Sequence, residues 1–132
     1  MPELDFFLIV FRHNLALFVF LVVGALSLGL SSITLLGING VSIGYDIGSI
    51  ILTSPTDLKY LSVHLPLEMM MILLATCSSQ QIGWTFFQDL ILDQKNKVPV
   101  SAFVSLAIAA LFLFLAAMAE SGFRTLRIHG LL

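Results

Sequence analysis

Val63-His64-Leu65-Pro66-Leu67-Glu68 opens an apolar run over residues 69–82 and sets two ionisable side chains at the mouth of a lipid-soluble segment. Residues four apart on a helix share a face, so His64 and Glu68 would point the same way one turn apart and form one site. Ser62 is a candidate N-cap. Pro66 then falls in the first turn, where a missing backbone donor costs little. Glu68 would sit where the positive end of the helix dipole favours a carboxylate. Two readings follow: a capped helix start anchored near the headgroups, or a functional polar site, since ionisable groups at membrane depth are expensive and tend to be functional.

Composition around this stretch settles the class. Of 132 residues 58% are hydrophobic and only 11% charged, and the mean hydropathy is +1.04. Those values lie far on the apolar side of soluble domains and imply an all-α integral membrane protein, one helical domain over residues 1–132 with too little polar sequence for a separate soluble one. A net charge of −2 built from few charges excludes nucleic-acid binding, which needs a basic patch. Cys77 is the only cysteine, so no internal disulfide forms. The start Met1-Pro2-Glu3-Leu4-Asp5 is acidic where a secretory signal is basic, and the first long span is expected to be retained.

Taken in order, residues 2–12 read as an interfacial lead-in closed by Arg12 and His13. No charge follows from Asn14 to Tyr45. As one straight helix that stretch would reach about 48 Å against a hydrocarbon core of about 30 Å, so it must break. Gly37-Ile38-Asn39-Gly40 is the expected break, because Asn-Gly tolerates positive φ and punctuates helices. Spans over 14–36 and 39–54 result. The first carries the small residues Gly24 and Gly29. The second, about 24 Å long, either crosses a thinned region or re-enters. Gly40, Gly44 and Gly48 recur every four residues in it as a smooth stripe suited to helix packing, and Asp46 lies roughly opposite that stripe.

Ser54-Pro55-Thr56-Asp57 is turn chemistry. A span over 62–83 follows, with a polar second half, and Trp84 to Leu92 reads as an interfacial helix. Residues 93–97 are a hydrated loop, and residues 98–120 form the clearest span, ended by Glu120. Three to four transmembrane helices are thus expected. If all four segments cross, lysine and arginine place both termini inside; if 39–54 re-enters, the two sides tie.

The catalytic inventory is thin. Only His64, of the three histidines, has a carboxylate at ligand spacing, and two ligands are fewer than a catalytic zinc site takes from protein. No Gly-x-Ser-x-Gly elbow and no phosphate-binding loop occur. No enzymatic activity, cofactor or metal is therefore expected. The candidate site is a polar intramembrane cluster of His64, Glu68, Glu120 and Asp46. Gly24, Gly29, Asn39, Gly40, Gly44 and Gly48 are the candidate helix-packing positions.

Several of these marks carry a resemblance. Arg12-His13-Asn14 leading into Gly24 and Gly29, Asn39-Gly40 with Gly44, His64-Leu65-Pro66-Leu67-Glu68 and Ala116-Ala117-Met118-Ala119-Glu120 are together similar to the stage II sporulation protein M family of prokaryotic membrane proteins. The resemblance covers about residues 12–123. It implies a multi-span helical protein of the cell membrane without established catalytic activity. The namesake acts in a complex with peptidoglycan-degrading partners, and other relatives resemble accessories of bacteriocin export and immunity encoded beside transporter ATPases. This chain departs from the longer members in its short leading segment. The implied partners are the bilayer, other membrane subunits including a transporter ATPase or a cell-wall hydrolase complex, and a second copy of the chain. A non-enzymatic accessory or scaffold subunit is the expected role, with a small ion-coupled or peptide-export permease as the alternative.

Overall fold

The computed structural model describes residues 2–27, 30–53, 58–93 and 95–128, with backbone only for residues 2, 3, 59, 60 and 123–128. Four helices make up the fold: α1 (Pro2–Val23), α2 (Leu30–Thr53), α3 (Leu58–Ile91) and α4 (Val100–Ile128), with a single 3-10 turn at Gly24–Ser27 after α1. Each has a segment long and apolar enough to cross a membrane: Leu4–Ser27, Leu30–Thr53, Leu61–Ile91 and Val100–Gly122. The protein is an all-α multi-pass membrane protein. The turn expected at residues 54–57 lies outside the described residues, as does Gly29.

The core joins α1, α3 and α4 through Leu21, Met71, Ile72, Ala75, Ala109 and Leu113. Ala102, Ala109 and Ala116 are buried at intervals of seven along α4, with Ala117 beside them. Small residues at that spacing keep one face of α4 thin, and a thin face lets helix backbones approach where lipid offers no hydrophobic drive. Phe7 and Phe11 stack on each other at 5.7 Å, and both meet the edge of Phe114 on α4, at 5.9 and 6.4 Å.

Several boundaries differ from the sequence reading. Residues 2–12 are not a separate lead-in: α1 runs without interruption through Arg12 and His13, both exposed. The chain breaks at Gly24–Ser27, not at Asn39-Gly40. Gly24 is buried, and a methyl placed there would overlap Ser32 Oγ. Ser32 Oγ donates to the Leu21 carbonyl (2.8 Å), and Ser27 Oγ donates to the Gly24 carbonyl (2.9 Å) while accepting the Ser31 amide (3.2 Å). Serine hydroxyls thus supply partners to backbone groups that the turn leaves open.

At Asn39 the side chain donates back to the Leu35 carbonyl (2.9 Å), four residues earlier, and α2 continues. In lipid a helix satisfies every backbone group internally, which outweighs the turn preference of Asn-Gly. Residues 39–53 are consequently the second half of a 24-residue helix, about 36 Å long, which needs neither a thinned bilayer nor re-entry.

The span and the interfacial helix expected over 62–83 and 84–92 are one helix, α3. Ser62 lies inside it and is no N-cap, Pro66 is its ninth residue, and Glu68 lies beyond the first turn, where the dipole contributes little. Asp93 ends α3 in the left-handed region at φ 51°, and Asn96 Nδ2 ties the following loop to Gln88 Oε1 at 3.0 Å. Glu120 ends the apolar part of α4 but not the helix, which continues through Gly122 to Ile128.

Candidate functional site

The start of α3 delivers His64 and Glu68 to the same side, as their four-residue spacing dictates. The close α3–α4 pair brings Glu120 to that level, since its neighbours Ala116 and Ala117 are buried against the bundle. The third contributor is α1. His13, Asn14, His64, Glu68 and Glu120 together line one open cavity of about 370 Å³. Ile9 and Val10 form its apolar wall.

Glu68 is half-buried and within electrostatic reach of His64, Glu120 and His13. Asn14 is 5% exposed, and its side chain makes no hydrogen bond among the described residues. Lysine and arginine are absent from the lining. Among the described residues, no group of three or more His, Cys, Asp and Glu has the geometry to hold a metal ion.

Asp46 stands apart from this cavity. It is exposed on α2 and lines a smaller cleft of about 80 Å³ with Ile43, Ile47, Leu61 and Leu65, which His64 and Glu68 also reach. The fold therefore places His64 and Glu68 between two polar clefts, with Glu120 on one side and Asp46 on the other. Sequence reasoning missed His13 and Asn14 as lining residues. Their signal was two polar side chains beside Arg12 in an otherwise apolar helix; reading Arg12-His13 as the end of a lead-in removed His13 from the membrane and left Asn14 as merely the first residue of the span over 14–36.

The candidate packing positions divide. Gly24 makes its close contact inside the chain, with Ser32. Asn39 is half-buried and bonds to its own helix. Gly40, Gly44 and Gly48 pack against nothing within the chain: a methyl at any of them would meet no atom within 4 Å. The face beside them is exposed and apolar, with Val41 at 76% and Leu52 at 86%.

A second polar seam crosses the bundle near the α1–α2 turn. Ser32 Oγ lies 3.0 Å from Ser79 Oγ on α3. Because the single Ser32 hydroxyl proton goes to the Leu21 carbonyl, Ser79 is the donor in that pair. Thr76 Oγ1, a turn earlier on α3, is buried without a partner among the described residues.

No curated protein and no solved structure matches the chain. The model of one family, described as stage II sporulation protein M, matches residues 1–125. With nearly its whole length matched, and with four membrane-compatible helices and no strand among the described residues, the chain belongs to the stage II sporulation protein M family.

Proposed function

We propose that this chain is a non-enzymatic subunit of a prokaryotic cell membrane that assembles with partner membrane proteins, as an accessory or scaffold in an export or cell-envelope complex. The observation that carries this reading is α2. Over the most apolar stretch of that helix no residue is buried, and its glycines at 40, 44 and 48 leave a smooth strip bordered by exposed Val41 and Leu52. Small residues at four-residue spacing allow the close backbone approach that drives helix association in lipid. A helix of a partner subunit laid along α2 would use that strip. The partner classes in this reading come from the family resemblance, a transporter ATPase assembly or a cell-wall hydrolase complex.

The experiment compares variants of the tagged full chain purified from its native membrane in mild detergent. Gly44→Leu fills the strip and should remove the co-purifying subunits, whereas Ile38→Leu, exposed off the strip, should leave them. Equal recovery of the same subunits with both variants would defeat the reading. A permease of small ions or peptides is the second reading, favoured by the two polar clefts that meet at His64 and Glu68. Reconstituted alone in liposomes, a permease moves a solute without any partner; an accessory subunit moves none.

A further inference from the structure

We propose that the cavity between α1, α3 and α4 is a proton-controlled latch, which holds the part of α1 before Asn14 on the α3–α4 pair while His13 and His64 carry charge and loosens when they lose it. The lining sets two imidazoles against two carboxylates: His13 comes from α1, His64 and Glu68 from α3, and Glu120 from α4. Glu68 is the common member, within electrostatic reach of the other three, with both histidines acting on it as opposite charges and Glu120 as a like charge. From α2, Asp46 faces His64 and Glu68 across the smaller cleft. Histidine is the side chain that ordinarily changes charge between about pH 5 and 8, so protons set the charge balance of this cluster.

The direction follows from the signs. With both histidines protonated the four groups in the cavity sum to zero, and α1 presents a cation to the acids of α3 and α4. With both neutral the same lining holds two like charges and, among the described residues, no cation. Ionised groups left without a counter-charge away from bulk water are strongly disfavoured, and separating the helices wets them. Protonation and docking therefore favour each other, and docking weakens as pH rises past neutrality. The element placed to respond is α1. The core closes α3 and α4 around Ala75, Ala109 and Leu113, whereas at the level of the cavity α1 faces them across an open space of about 370 Å³. Beyond Asn14 the helix is fixed by Leu21 in the core and by the contact of Gly24 with Ser32. This latch is separate from the glycine strip of α2 and stands or falls independently of the partner reading.

The test is the distance between spin labels at Leu8→Cys on α1 and Met118→Cys on α4, both exposed and outside the cavity lining. The full chain carries Cys77→Ser and is held in nanodiscs of neutral lipid. One short distance is expected near pH 5.5, and a longer, broader distribution near pH 8.5. His13→Gln combined with His64→Gln should give the long distribution at both pH values. His13→Lys keeps its charge at the higher pH and should keep the short distance there. Glu120→Gln removes the like charge facing Glu68 and should shrink the pH effect. Should the double glutamine variant fail to fold, the unaltered chain and His13→Lys still decide. The same distance at both pH values, a full pH effect in the double glutamine variant or in Glu120→Gln, or a long distance for His13→Lys at the higher pH would each overturn the assignment.

Discussion

Replacing Gly24 by alanine tests the contact that folds α2 back onto the bundle. The added methyl would overlap Ser32 Oγ and lie 3.0 Å from Ser31 Oγ and 3.1 Å from Ser32 Cβ. Ser32 cannot simply turn its hydroxyl away, because that oxygen bonds the Leu21 carbonyl at 2.8 Å and Ser79 Oγ at 3.0 Å, all in a buried setting. Hydrogen bonds between membrane helices average about 0.6 kcal/mol, so losing two costs about 1 kcal/mol. Leaving the buried partners unpaired adds about 1–3 kcal/mol more. Against this stands a gain of about 0.4–1 kcal/mol from a less flexible unfolded chain. The net expectation is a loss of about 2 kcal/mol.

Gly44→Ala is the matched control. Its methyl meets nothing within the chain, so helix propensity makes it neutral or stabilising by up to about 1 kcal/mol. Reversible unfolding of the purified protein in mixed detergent and SDS micelles, followed by circular dichroism, measures both. Ser32→Ala should lose about 1 kcal/mol by itself and partly relieve Gly24→Ala, since the colliding hydroxyl is gone. Equal stability of Gly24→Ala and Gly44→Ala, or strictly additive losses in the double variant, would refute the close contact.

Three further outcomes follow from the same structure. Thr76→Val removes a buried hydroxyl that has no partner among the described residues at nearly constant shape, and the unfolding midpoint should rise by the equivalent of about 1 kcal/mol; a drop would mean that the hydroxyl is bonded. His64→Ala and Glu68→Ala should be non-additive in a double-mutant cycle by about 0.5 kcal/mol or more, because the two line both clefts together, and additivity would show two independent groups. With exposed Cys77 replaced by serine, Leu67→Cys should crosslink within one chain to Ala119→Cys or Ser121→Cys; no crosslink from either pair in folded protein would separate Glu68 from Glu120.

Much of the architecture was legible before any coordinates. Composition alone requires a membrane protein, because a chain this apolar has no soluble alternative. The last span is an uninterrupted apolar run, and the pairing of His64 with Glu68 is a local consequence of helical periodicity. The apolar surroundings of Glu120 and the small residues preceding it were likewise visible. What local pattern could not decide was where the first long apolar stretch folds back. Gly24 and Asn39-Gly40 are both plausible breaks by residue type, and the choice rests on Ser32 meeting Leu21, eleven residues earlier, and Ser79, forty-seven residues later.

That choice governs the site as well. With the turn at Gly24–Ser27, the helix before it reaches back to Pro2 and carries His13 and Asn14 to the level of Glu68 and Glu120. With a turn at Asn39, His13 would have stayed at the membrane surface as the end of a lead-in, and Asn14 would only have opened the span over 14–36. Sequence by itself determined the class, the apolar spans and the local polar pair, because these depend on transfer to lipid and on the 3.6-residue repeat. Tertiary structure decided which helix completes the cavity and which glycines are left open, because contacts between distant helices are set by side-chain fit, and fit has no local signature.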